Sequence, residues 1–421
     1  MNFFPGFFRC SFVLILLTVF RYDVALAQPF TILRSLESAS ATSSPWDTIE
    51  VYKTPNIFST DFCKLNGFES FFYEGLEYKA KKTRVFAYYK KPEGTPPAGG
   101  WPAVICVHGG GGTAFPDWVQ TWVNHGYAAI AMDLEGHLPK DSFPNREWHE
   151  YAGPPRITTF GDIELADREQ WFFHAVADVI KANSLLLSFP GINKNKIGIH
   201  GISWGGVVTS AVIGIDHRLA FAIPVYGCGF LYESTCVSFK KYFDVMTPGQ
   251  LMNYKSKWDP SLYLPNCTIP TLFYIGSNDG AFPLDIWQKS ALLVKGTRAL
   301  CIPVSSEHGH IWNQKEIFAF ADAVVKNGSP LLQVGEAKII NGMAMVDISI
   351  FTTSRELPVS TIELVYTKDT CNWQARKWLS IPGRLKDNTA FVELPPLTTA
   401  FYFNITDKQG LRFSSPYKSI N

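Results

Sequence analysis

The segment Gly201-Ile202-Ser203-Trp204-Gly205 sets a hydroxyl between two glycines, after an apolar run ending at His200 and before a helix-like stretch. This is the G-x-S-x-G pattern in its strand–turn–helix context, and it makes Ser203 the candidate nucleophile. A very tight strand-to-helix turn strains its central residue, and neighbours without side chains let the turn close. A helix starting behind Ser203 brings partial positive charge and unpaired N–H groups to the place where a carbonyl oxygen would become negative. A second glycine run, His108-Gly109-Gly110-Gly111-Gly112, follows the apolar stretch Trp101 to Val107. Exposed amides of this kind build oxyanion holes, and the N–H groups of Gly110 and Trp204 are the expected pair. No Lys-Ser/Thr follows the glycines, which argues against a phosphate-binding loop.

With such a nucleophile the acid comes next in the chain and the histidine last. Asp279 closes TLFYIGSND just beyond an apolar strand, and it is preferred over Asp259, which lies ahead of that strand, and Asp285, which begins the next helix. The base comes from Ser306-Glu307-His308-Gly309-His310. His308 leaves the strand first and is favoured; His310 is the alternative, otherwise a pocket-lining residue. No HExxH spacing accompanies the His-Gly-His pair, so neither a catalytic metal nor a cofactor is expected.

These residues need a scaffold that brings three loops to one edge. Short continuous apolar runs suit parallel strands buried on both faces. They occur at Trp101 to Val107, Ala128 to Met132, Lys196 to His200, Ala220 to Val225, Thr271 to Ile275 and Ala299 to Val304. Helix-length segments lie between several of them, Phe115 to His125 and Arg168 to Leu187 being the clearest. Alternation of strand and helix predicts an α/β fold with a mostly parallel central sheet. Upstream, Asp47 to Tyr52 reads as a strand, and Gly67 to Lys91 as two strands with a turn. Residues 137 to 165, rich in proline and aromatics, read as an excursion at the carboxyl edge of the sheet, where ligands bind. Beyond residue 330 the pattern turns to period-2 strands without helices, and predicts a β-sandwich of immunoglobulin or fibronectin type.

The chain has 421 residues, with 38 Lys+Arg against 37 Asp+Glu. That balance excludes the basic excess of a nucleic-acid-binding protein. Arg9, the apolar run Cys10 to Phe20 and Ala25-Leu26-Ala27 have the layout of a secretory signal peptide over residues 1–27, too short to span a bilayer. The expected organisation is a signal peptide at 1–27, a catalytic domain at 28–329 (with 28–100 as N-terminal strands and extension), and a β-sandwich domain at 330–421. Localisation is then secreted or periplasmic, with no membrane insertion after cleavage. Seven cysteines remain after residue 27, and Cys228 and Cys236 are near enough in sequence for a small loop disulfide.

The stretches VHGGGGTAFPDWV (107–119), AIAMDLEGH (129–137), GIHGISWGG (198–206), IPVYGCGFL (223–231), WDPSLYLP (258–265), GSNDGAFPLDIWQKS (276–290) and EHGHIW (307–312) together resemble secreted acetyl xylan esterase-like enzymes of the α/β-hydrolase superfamily. Cephalosporin-C deacetylases, dienelactone hydrolases and prolyl oligopeptidase-like peptidases are the nearby families. The resemblance implies Ser203 as nucleophile, Asp279 as orienting acid and His308 as base, with an acylated carbohydrate as substrate. Trp148, Tyr151 and Trp312 are then candidates to stack on sugar rings. Trp204 stands where many deacetylases carry Gln. The alternatives are a prolyl oligopeptidase-like peptidase, for which 28–100 is too short and unrepetitive to build a propeller, and a non-catalytic carbohydrate-binding protein with a relic hydrolase domain.

Overall fold

The computed structural model describes residues 44–140, 145–351 and 358–420. The expected signal peptide at 1–27 lies outside the described residues.

The apolar runs become strands of one nine-stranded sheet. In chain order these are β1 (Ile57–Ser59), β2 (Glu69–Glu74), β3 (Arg84–Lys90), β4 (Trp101–Val107), β5 (Ala128–Met132), β6 (Ile192–Ile202), β7 (Phe221–Val225), β8 (Thr271–Tyr274) and β9 (Arg298–Cys301). Their spatial order is β1-β2-β3-β5-β4-β6-β7-β8-β9. Pairing is antiparallel as far as β3–β5 and parallel from β5–β4 onwards. The residues of β5, β7 and β8 are all buried, which is why these strands read as unbroken apolar runs.

Parallel neighbours need long crossovers, and helices supply them. After α1 (Thr48–Val51) come α2 (Pro116–Asn124) between β4 and β5, α3 (Trp171–Ser188) between β5 and β6, and α4 (Trp204–Val212) between β6 and β7. Then α5 (Val237–Phe243) and α6 (Pro248–Lys257) precede β8, α7 (Leu284–Ala291) joins β8 to β9, and α8 (Lys315–Val325) follows. This is an α/β-hydrolase-like architecture. Asp47 to Tyr52 corrects the expectation of a strand. It contains α1, because the Asp47 carboxylate accepts the Ile49 N–H and starts a helical turn instead.

Beyond residue 330 the described residues form two further sheets. One has the order β10 (Leu332–Val334), β12 (Met343–Ile350), β16 (Thr389–Glu393), β15 (Arg384–Lys386), with β11 (Lys338–Ile340) on β12. The other runs β14 (Leu379–Pro382), β13 (Val359–Thr367), β17 (Ala400–Asp407), β18 (Arg412–Ser414), with β19 (Lys418–Ser419) on β17. These sheets meet the large one at β9: the Ile302 N–H donates to Ser414 Oγ at 2.8 Å, and Asn404 Nδ2 donates to Ile302 O at 3.2 Å. Cys228 and Cys236 are separate buried thiols, so the loop disulfide that their spacing allows is not formed.

Candidate active site

Parallel strands all end at the same edge, so the loops after β4, β6, β8 and β9 converge there. Register brings Val107 of β4 beside Gly201 of β6, and Ile202 beside Val225 of β7. Between β6 and α4 the chain turns on Ser203, whose φ of 57° and ψ of −119° lie in a region costly for a residue with a side chain. Bonds on both sides hold that geometry. The Ser203 N–H donates to Val225 O at 2.9 Å, and its carbonyl accepts the Val207 N–H at 3.0 Å. The flanking glycines are required by close approach. A Cβ on Gly205 would overlap the Val107 carbonyl, and one on Gly201 would overlap Thr209 Oγ1 and the Gly205 carbonyl.

His308 Nε2 lies 3.0 Å from Ser203 Oγ, and its Nδ1 lies 2.8 Å from Asp279 Oδ2. A carboxylate accepts only, so Nδ1 carries the proton and Nε2 is free to accept from the serine hydroxyl. The Asp279 carboxylate is fully buried, whereas 27% of the His308 side chain is exposed. Oδ1 of Asp279 accepts the N–H groups of Ala281 at 2.9 Å and Phe282 at 2.7 Å, which fixes the plane of the carboxylate. The His308 ring packs against Tyr226, with centroids 4.5 Å apart, and against Phe282. The Tyr226 hydroxyl donates to Glu307 O at 2.9 Å and ties down the loop that carries the imidazole.

His310 stands apart from the serine. Its Nε2 accepts the Gly109 N–H at 3.1 Å, and burial, with His108 beside it, lowers its pKa to about 4. Its lone pair is therefore engaged in holding the glycine turn. The remaining amides of that turn sort themselves. Gly111 N–H donates to Glu135 Oε1 at 3.0 Å and Gly112 N–H to Gly109 O at 2.9 Å. Among the described residues, Gly110 N–H has no partner, and Trp204 N–H is an unpaired donor at the first position of α4. His108 braces the turn from below. Its Nδ1–H donates to Gly109 O at 2.7 Å, and its Nε2 accepts the Leu134 N–H at 2.9 Å.

The aromatic candidates divide. Trp312 stacks on Trp118 (5.3 Å) and lies against Phe115, which in turn touches His310. Trp148 is half exposed and packs on His137. The Tyr151 ring lies over the Arg84 guanidinium and against Phe72. Neither Trp148 nor Tyr151 contacts Ser203 or its partners.

Three features have no motif to announce them. The first is a charge cluster after β5, at the start of the 137–165 excursion. Arg146 bridges Asp133 at 2.9 Å and Glu135 at 3.0 Å, and Arg156 Nε donates to Glu135 Oε1 at 2.7 Å. Burial works to raise the Glu135 carboxyl, but the Arg156 charge and the bonds it accepts hold it below its ordinary value. The second is Asn278, next to the buried acid. Its Nδ2 donates to the carbonyls of Trp373 (3.3 Å), Gln374 (3.2 Å) and Arg376 (2.7 Å), on a loop of the C-terminal sheets. The third is Tyr226. Asn278 and Glu135 fall inside stretches that carry the family resemblance, but nothing in their spacing marks their partners.

Residues 68–247 match the protein family described as acetyl xylan esterase. The curated acetyl esterase Axe7A of Xylanibacter ruminicola is 22% identical over 220 residues, covering 48% of this chain and 47% of that protein. The chain thus matches about half the length of this curated relative. Two solved structures share the fold. The acetyl xylan esterase from Paenibacillus sp. R4 superposes with a TM-score of 0.52 at 20% identity, over 64% of this chain and 88% of its own. Acetyl xylan esterase 1 from Thermoanaerobacterium sp. JW/SL YS485 gives 0.51 at 15% identity, over 68% and 95%. The resemblance read from the motifs is thereby borne out.

Proposed function

We propose that this chain, whose residues 68–247 match the acetyl xylan esterase family, is a serine carboxylic ester hydrolase that removes acetyl groups from a polysaccharide or oligosaccharide. The observation that carries the reading is His308 bridging Ser203 Oγ at 3.0 Å and Asp279 Oδ2 at 2.8 Å. Ser203 Oγ attacks the ester carbonyl as its proton passes to His308 Nε2. Asp279 keeps the second imidazole proton on Nδ1 and stabilises the cation that forms. Negative charge on the carbonyl oxygen is met by the N–H groups of Gly110 and Trp204. As the intermediate collapses, the bond from the carbonyl carbon to the sugar oxygen breaks, that oxygen takes the imidazolium proton and departs as the sugar hydroxyl, and an acetyl-serine remains. Water, deprotonated by the same nitrogen, releases acetate and restores the serine. No cofactor enters this scheme.

The same reading assigns residues 28–329 to the catalytic domain and 330–421 to an immunoglobulin-like or fibronectin-like sandwich, and treats the protein as exported through residues 1–27. A peptidase of the prolyl oligopeptidase type has less support, since the matching family and the relatives reported above are acetyl xylan or acetyl esterases. The test joins a fluorophosphonate label to an acetate-release screen on acetylated xylan, p-nitrophenyl acetate and a peptide panel. Labelling lost in Ser203→Ala together with acetate release is the expected result. Turnover of peptides alone would defeat the esterase assignment, and no labelling at all would favour the relic-domain alternative.

A further inference from the structure

Gly110 has no side chain, and the space a side chain would fill is taken by another residue. A Cβ built there would lie 3.0 Å from Arg156 Nη2 and 2.7 Å from Cδ1 of Trp204. With N and Cβ of one residue about 2.5 Å apart, Arg156 Nη2 lies within about 5.5 Å of the Gly110 N–H. The guanidinium therefore stands beside the Gly110 donor and near the Trp204 ring, one residue along the chain from Ser203.

Its bonds leave one edge open. Nε is engaged by Glu135, Nη1 reaches Thr158 O only at 3.5 Å, and Nη2 has no partner among the described residues. The side chain is 21% exposed. Behind it, Glu135 is shared with the buried Arg146, which also bonds Asp133, so the cluster of two acids and two bases is neutral as a whole. The carboxylates lie at its buried end and the Arg156 Nη edge at its outer end. The Trp204 and Trp171 rings lie 5.8 and 5.7 Å from the guanidinium carbon, an apolar wall that weakens screening by water. Glu135 also accepts the Gly111 N–H, so the arginine and the glycine turn are held to one anchor.

We propose that the outer edge of Arg156 is an anion subsite that takes a carboxylate on the same or the adjoining sugar as the acetyl ester, so that the substrate class is acetylated glycan carrying uronic acid. The proposal rests on the esterase reading above. A guanidinium edge with two parallel N–H directions matches a planar carboxylate. Neutral acetylated chains would leave that edge to water.

The test compares kcat/KM for two oligosaccharides that carry the same acetyl group, one neutral and one with a uronic acid next to the acetylated sugar. The wild-type protein is expected to prefer the acidic substrate about tenfold, the size of one charge-assisted contact. The preference should shrink in 0.5 M salt and fall to near unity in Arg156→Gln, with Arg156→Lys keeping part of it. Equal rates on the two substrates in the wild-type protein overturn the proposal without recourse to any variant, as does a preference that survives in Arg156→Gln. Absence of p-nitrophenyl acetate hydrolysis by the wild-type protein would instead remove the esterase reading itself.

Discussion

Replacement of Asp279 by Asn gives the sharpest test of the proposed proton path, because the surroundings dictate how the amide must sit. One carboxylate oxygen accepts two backbone N–H groups, from Ala281 and Phe282, and the other faces Nδ1 of His308. An Asn in this slot must turn its oxygen to the two amides, since its NH2 cannot accept from them. The NH2 then faces His308 Nδ1, which has to accept. The ring proton moves to Nε2, and the nitrogen 3.0 Å from Ser203 Oγ loses the lone pair that the attack requires. A wrong tautomer of this kind costs about 10⁴ in kcat, or about 5 kcal/mol of barrier. Asp279→Ala behaves differently. It leaves the imidazole free to take either tautomer, but it orphans two buried N–H groups, at about 3 kcal/mol of stability. The expected order is thus that Asp279→Asn folds at nearly wild-type Tm with the lower kcat, whereas Asp279→Ala melts earlier yet turns over faster. The assay is p-nitrophenyl acetate hydrolysis at pH 7.5, paired with thermal melts. An Asn variant within tenfold of wild type, or one more active than the Ala variant, refutes this reasoning.

Other perturbations probe the frame around the site. Asn278→Ala removes three bonds to the C-terminal loop and frees the segment before Asp279; kcat should fall about tenfold with KM within twofold, and equal changes in both would argue against a positioning role. Gly205→Ala forces a methyl group into the Val107 carbonyl, and thermal melts should register a loss of about 3 kcal/mol or more, or no folded protein. Burial lowers His149, His174 and His310 to about 4 and His200 to about 3. Each is neutral when folded and takes a proton near pH 6.5 when unfolded, so stability should fall as pH drops from about 6.5 to 4, by about 1.4 kcal/mol per pH unit for each such group. Asp178, raised by burial to about 7, binds its proton more tightly when folded and opposes one of them over the same range. Melting at pH 7 and pH 5 checks the net sign, and His200→Phe should flatten the profile.

The strands of the large sheet were legible because burial on both faces leaves an unbroken apolar signature. Trp101–Val107 and Ala128–Met132 agree with their expected bounds to the residue. The turn at Ser203 was legible because close approach of the backbone admits only glycine on either side. Local pattern failed where a single side chain decided, as at Asp47, whose cap turned an apparent strand into a helical turn. It also failed for partners far apart in the chain. Asn278 meets carbonyls nearly a hundred residues later, and Arg156 fills the space beside Gly110 from another loop. The rings of Trp148 and Tyr151 meet His137 and Arg84, contacts that no spacing rule encodes, and Trp148 stays half exposed.

One segment joins two tasks that many sites keep separate. His308 reaches Ser203, and two residues later His310 grips the amide of Gly109, the neighbour of the free Gly110 donor. A shift of that loop by an ångström withdraws the base and slackens the anion cradle together. Damage to this segment is then expected to slow attack on the ester and weaken the hold on the oxyanion at once, so burst kinetics should show a slower acylation phase. Transplanting loops between relatives must carry the two imidazoles as a pair.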